Sequence, residues 1–220
     1  MLASELISNS ITPLKTSDTV QMALDRMTEF KTYHLPIVNE SQFLGLLAEE
    51  ELIEVRDHDA AIGSLSLTIL NPFVFQDAHV YDVIRLFDQL DLSVVPVLDY
   101  KKNYLGVVSI HNLVEYTADV YAVKDPGGII VLEISNRNNS LSHMAQIVEA
   151  DNAQILSSYV QSFPDSTKLE VTLKINKVEL SGIISSFERY NYTVKAVFNS
   201  TITDHGTEDR YNSLMNYLNV

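Results

Sequence analysis

The sequence predicts an α+β protein of two unlike parts: a helix–strand–strand–helix unit written twice about a pseudo-two-fold axis, then a β-α-β-β-α-β plait. Three observations carry that prediction. The stretch "YHLPIVNESQFLGLLAEEEL" (residues 33–52) is answered by "SVVPVLDYKKNYLGVVSIHNL" (residues 93–113). A backbone breaker, "DPGG" at 125–128, follows the second copy. Beyond it the apolar pattern switches between a period of two and helical spacing.

Within the repeat, Pro36 aligns with Pro96, and Leu24 and Met27 with Ile84 and Phe87. After a one-residue insertion, Gly45 aligns with Gly106 and Leu52 with Leu113. Each copy opens with apolar residues at helical spacing: Val20, Leu24, Met27 and Phe30, then Val80, Val83, Ile84, Phe87 and Leu90. Two short apolar runs follow, "LPIV" and "FLGLL", then "VVPVL" and "YLGVV"; their length and lack of polar alternation suit buried strands. "EEELIEV" and "HNLVEYT" close the copies as short helices. One such copy buries too little surface to be comfortable alone. Two copies packed face to face are therefore expected to share a core and to leave two related clefts.

An apolar-Pro-apolar strand, then Gly-apolar-apolar-(Ser/Thr)-x-x-Asp leading into a helix, repeated in register, resembles a tandem pair of CBS domains, a Bateman module. The resemblance covers residues 1–122, with repeats about 1–58 and 63–120. It implies a regulatory module whose clefts bind AMP, ADP, ATP or another adenosyl compound such as S-adenosylmethionine. It places a hydroxyl near the phosphates and an Asp, three residues on, at the ribose. Here the second copy has Ser109 and Asn112 at those positions, and the first has Ala48 and Glu51. A strand end running into a helix start aims free backbone N–H groups at a phosphate. The first copy fills that helix start with Glu49, Glu50 and Glu51, which suit the helix dipole and repel a polyphosphate. The second cleft is therefore the expected ligand site, through Ser109 and Asn112; the first is expected not to bind a polyphosphate unless a cation bridges. Read without the resemblance, Ser109 is an N-cap, Asn112 a solvated helix residue, and His111 between them turns elsewhere.

After the breaker, "IIVLEIS" reads as a strand and "NSLSHMAQIVEA" as a helix through Leu141, Met144, Ile147 and Val148. "AQILSSYVQ" reads as a strand. "KLEVTLKI" alternates Leu169, Val171, Leu173 and Ile175 as a half-buried strand. "KVELSGIISSFERYN" is helical through Leu180, Ile183, Ile184 and Phe187, and "YTVKAVF" closes as a strand. This order over residues 128–200 resembles an ACT domain, which implies a small effector or a dimer contact. The turn after its first strand would use Asn136, Asn139 and Leu141 where that family commonly has Asp-x-x-Gly-x-Leu. A CBS pair followed by such a domain is similar to acetoin-utilisation-type regulatory proteins in architecture. Residues 201–220 are expected to form a helix with Tyr211, Leu214, Met215 and Leu218 on one face.

Composition narrows the function. The 220 residues carry a formal charge of −14 and no cysteine. Residues 1–120 hold 7 Lys/Arg against 18 Asp/Glu, and residues 121–220 hold 8 against 11, so the acidity is concentrated in the repeat. With no basic stripe, nucleic acid is not an expected partner. No run is long and apolar enough for a membrane span, and the start lacks a secretory pattern, so a cytoplasmic protein is expected. No two histidines sit at metal-ligand spacing, and no phosphate-binding or nucleophile motif is present. Neither a catalytic nor a metal constellation can be named, and no resident cofactor is expected. The reading is a non-enzymatic homodimeric sensor that binds a small effector and controls a protein partner. A ligand-free assembly module is the alternative.

Overall fold

Thr19 starts the first helix because its Oγ1 accepts the otherwise orphaned N–H of Met22 at 3.2 Å. The helix, α1 (Val20–Phe30), buries Val20, Ala23 and Met27 and stops where Lys31 turns left-handed at φ 52°. Two antiparallel strands follow, β1 (His34–Asn39) and β2 (Gln42–Ala48), then the single-turn α2 (Glu50–Ile53). The second copy repeats this with β3 (Val74–Phe75), α3 (Val80–Leu90), β4 (Val94–Leu98), β5 (Tyr104–Ser109) and α4 (Ile110–Val120). Here the His79 ring caps α3 by accepting from Tyr81 N–H, and Asp91 ends it at φ 49°. This computed structural model describes residues 1–8, 10–66, 68–135, 140–164 and 166–199. The expected helix over 201–220, with Asn136 and Asn139, lies outside the described residues.

The registers of the two copies match. Pro36 faces Leu46 as Pro96 faces Val107, and each pair of strands slips one residue later, after Ile37 and after Val97. The segment preceding each first helix also pairs in parallel with the proline strand: Leu14 with Ile37, and Val74 with Val97.

The copies are tied by an exchange of padding segments that the repeat pattern did not announce. The N-terminal segment runs along the second copy, where Ser8 N–H donates to Val107 O at 2.8 Å. The linker runs along the first, where Leu46 and Leu70 exchange both backbone hydrogen bonds at 2.7 and 3.1 Å. Both segments cross at the conserved-in-register glycines. A Cβ on Gly106 would lie 2.4 Å from Ile7 Cγ2, and one on Gly45 would lie 2.0 Å from Ile69 Cγ2. Both glycines also hold φ +151°, which side chains disfavour.

The expected single shared core resolves into two clusters. One is built on Leu14, Val20, Met27, Leu35, Ile37 and Leu47 of the first copy. The other gathers Val83, Phe87, Val94, Val97 and Val107 of the second with Ala3, Leu6 and Leu46 from the first. Ile11 packs against both. The N-terminal segment completes the second cluster with Ala3 and Leu6, while Ile62 and Leu65 of the linker close the first.

The chain separates into two compact units between Tyr116 and Thr117, within α4. The second unit contains β6 (Gly128–Ser135), α5 (Leu141–Glu149), β7 (Ile155–Ser162), β8 (Lys168–Ile175), α6 (Ser181–Arg189) and β9 (Thr193–Asn199). The strands form one antiparallel sheet in the order β7-β8-β6-β9, a ferredoxin-like plait. Ile130, Leu132, Val171 and Leu173 pack with Met144, Ile147, Ile183 and Phe187 of the helices. Two sequence expectations need correction. Leu141 is not on the core side of α5 but 44% exposed, at the first helical position. The second helix starts at Ser181 rather than within "KVEL", where Glu179 turns back to accept from Ser181 N–H at 3.0 Å.

Candidate ligand cleft

The strand β5 ends and α4 begins at Ser109, beside a cleft of about 620 Å³. The cleft is lined by Ser109, Asn112, Thr32, Tyr33, Ser93 and Lys31, among others. The two residues singled out from the sequence are thus together on one cleft wall. They are also bonded to each other. Asn112 N–H donates to Ser109 Oγ at 3.2 Å, while Asn112 Oδ1 accepts from Ser109 Oγ at 2.5 Å and from Ser109 N–H at 3.4 Å. This is a reciprocal cap, the arrangement usually made by Ser with Glu three residues on. Asn112 is therefore not simply solvated.

The cap fixes the polarity of the wall. A backbone N–H needs an acceptor, and in an amide side chain only the oxygen accepts, so Asn112 Oδ1 faces Ser109 N–H and its NH₂ is left over as a donor. Among the described residues nothing accepts from that NH₂. The N–H of His111, second in the helix, has no acceptor within the helix either. The wall meets a ligand with donors. Glu29 and Lys31 add one charge of each sign. His111, expected to turn elsewhere, also lines the cleft, with its side chain 80% exposed and its Nε2 3.4 Å from Glu115.

Beside this wall is a hydroxyl cluster that sequence reading missed. Ser93 Oγ lies 2.7 Å from Thr32 Oγ1, accepts from Tyr33 N–H at 3.0 Å and lies 3.1 Å from His34 Nδ1. Thr32 Oγ1 donates to His34 O at 3.1 Å. Ser93 and Tyr33 occupy equivalent positions of the two copies, just before each proline strand. The available signal was the repeat itself: residues opening the same strand in two copies meet near the pseudo-axis. His34 is buried, and burial holds its imidazole below the ordinary histidine value, against the opposing pull of Glu50 and Asp91.

Comparison with known families matches residues 3–58 and 67–119 to the CBS domain. These segments are a tandem pair of CBS domains. A CBS domain pair/ACT domain protein from Thermotoga maritima is 22% identical, covering 53% of this chain and 96% of that one, with a TM-score of 0.48. The AMP complex of a protein called CBSX2 is 18% identical, covering 56% and 98%, with a TM-score of 0.47. A CBS domain pair in complex with 5′-methylthioadenosine and S-adenosyl-L-methionine is 19% identical, covering 54% and 96%, with a TM-score of 0.43.

The first CBS domain uses its equivalent residues differently. Ala48 pairs with His34 across β1 and β2 and contributes no hydroxyl. The Glu51 carboxylate accepts from Thr68 N–H at 3.0 Å, so it anchors the padding linker. Among the described residues no group of three acidic or histidine side chains is placed to hold a metal ion. No described helix is long and apolar enough to cross a membrane.

Proposed function

We propose that this protein is a non-enzymatic regulator that binds a small adenosyl compound in its second CBS cleft and controls a protein partner. CBS domains are generally regulatory and typically take adenosine ligands. The observation that carries the reading is the cleft wall of Ser109 and Asn112, with outward donors and a volume of about 620 Å³. That volume is in the usual range for small-molecule sites. Donors suit the oxygens of a ribose, a phosphate or a carboxylate. The Lys31 ammonium would add a charge-assisted contact to an anionic group. AMP, ADP, ATP and S-adenosylmethionine are the compounds to try. The first CBS domain, with Glu51 tied to Thr68 and two more glutamates beside it, would not take a polyphosphate.

The plait would act as an ACT-like domain, giving a dimer contact or a second effector site. The order of domains is then that of acetoin-utilisation-type regulators, in architecture only. The binding test is calorimetric titration of these compounds into the wild type and a Ser109→Ala/Asn112→Ala double variant. Losing one charged or two neutral hydrogen bonds should weaken binding at least about tenfold. Unchanged affinity in the double variant would remove the site assignment.

A second reading has its own support. Ser109 and Asn112 already satisfy much of each other's hydrogen bonding, as an ordinary helix cap would. On that reading the CBS pair is a ligand-free assembly module. It predicts no stabilisation by any of these compounds and a tight dimer.

A further inference from the structure

We propose that ligand affinity of the second CBS cleft is governed by the protonation state of His34, transmitted through Ser93; this rests on the cleft being the ligand site. The connection is a short chain of hydrogen bonds. Ser93 N–H donates to His34 Nδ1 at 3.3 Å. Ser93 O accepts from Ile110 N–H, the first residue of α4, at 3.4 Å. Ser93 also precedes Val94, whose register partner is Ser109. One residue thus touches His34 on one side and the capped helix start on the other.

Donor and acceptor roles set the direction of the effect. Thr32 uses its hydroxyl proton on His34 O, so Ser93 donates its own to Thr32 Oγ1. Ser93 Oγ then accepts from Tyr33 N–H, and Ser93 N–H is left for His34 Nδ1. That set of bonds needs a neutral His34 with its proton on Nε2, which leaves Nδ1 free to accept. Protonation at Nδ1 would turn that nitrogen into a donor, served by Ser93 Oγ at 3.1 Å but facing Ser93 N–H as donor to donor. Ser93 N–H would lose its acceptor in a half-buried site. Thr32, Tyr33 and Ser93 all line the cleft, so the rearrangement falls on its wall. The charged groups acting on His34 are Glu50 from α2 and Asp91 at the end of α3; both favour the protonated form, and burial opposes them. The neutral state is the one that matches the cleft.

The test combines two measurements on the full chain. The first needs no ligand: NMR titration of the His34 ring and the Ser93 amide. The Ser93 amide should shift with the same midpoint as His34, below the ordinary histidine value of about 6.5. In His34→Asn, whose side-chain oxygen can accept from Ser93 N–H, that step should vanish. A Ser93 amide that ignores the His34 titration would overturn the proposal. The second is calorimetry with 5′-methylthioadenosine, which carries no titrating phosphate. Its affinity should fall about threefold or more between about pH 7.5 and pH 5.5 in the wild type and stay level in His34→Asn. Reciprocity then requires the bound compound to lower the His34 midpoint by about half a unit. Equal affinity at both pH values would overturn the coupling. No binding at either pH, with Ser93 still following His34, would sink the adenosyl reading of the cleft and leave the proton-driven change in its wall standing.

Discussion

Tyr104 shows what a single buried group costs. Its hydroxyl is buried and has no hydrogen-bond partner among the described residues, and burial pushes its ionisation far up. Its ring stacks near Phe43, which holds the equivalent position of the first CBS domain as a phenylalanine. An unsatisfied buried hydroxyl costs about 1–3 kcal/mol. Tyr104→Phe should therefore leave stability unchanged or raise it by up to that amount in urea unfolding; a clear loss would mean the hydroxyl has a partner. His34 is the second such residue. Because its folded state resists protonation, the unfolded chain binds more protons once the pH drops below about 6.5. Its contribution to stability is complete above that value and is lost as the pH falls through the lower folded midpoint. The urea midpoint should decline over that window, and His34→Asn should flatten part of the decline. Neither residue was legible beforehand in this sense. The sequence shows His34 at the start of the "HLPIV" run, but the direction of its hydrogen bond depends on Ser93, about 60 residues away.

At the scale of elements, the repeat was legible because its strands are short apolar runs and its helices keep one apolar stripe. The registers around Pro36 and Pro96 follow from that alone. What the pattern could not carry was the exchange of padding segments. "LISNS" and "LTIL" have no periodicity to mark them as pairing partners; among the described residues Ser8 bridges to Val107 and Leu70 to Leu46. The glycines were the visible trace. Gly106→Ala would place a methyl 2.4 Å from Ile7 Cγ2 at a φ that alanine disfavours. It should destabilise by about 1–3 kcal/mol. Adding Ile7→Ala should recover the steric share and leave the backbone share, which thermal unfolding of the three variants can separate. Full recovery would show that φ at Gly106 costs nothing. In the plait, alternation over Leu169, Val171, Leu173 and Ile175 fixed the buried face of β8. Leu141 failed because a helix's first position overhangs its end, where spacing alone cannot tell buried from exposed.

For the whole molecule, a −14 charge argues against self-association through most of the surface, so any dimer contact must avoid it. The helix α4 buries none of its residues, and Ile110 and Val114 on it are 46% and 60% exposed. Ile53, at the position equivalent to Val114, is 68% exposed. On the homodimer reading, these exposed apolar side chains meet a second copy. Sedimentation should return about twice 24.7 kDa, and Val114→Asp with Ile53→Asp should return the monomer. A monomeric wild type would contradict the homodimer. The lining of the candidate cleft was half legible: Ser109 and Asn112 came from the motif, whereas Thr32, Tyr33 and Ser93 came only from the way two copies meet. The central claim is that this meeting place holds an adenosyl compound. A thermal-shift series with AMP, ADP, ATP and S-adenosylmethionine tests it most directly. A ligand at a hundred times its Kd adds about 2.7 kcal/mol, a shift of several degrees. The account predicts such a shift for at least one of them, lost in Ser109→Ala/Asn112→Ala. No shift with any compound would contradict it and leave the assembly module as the better description.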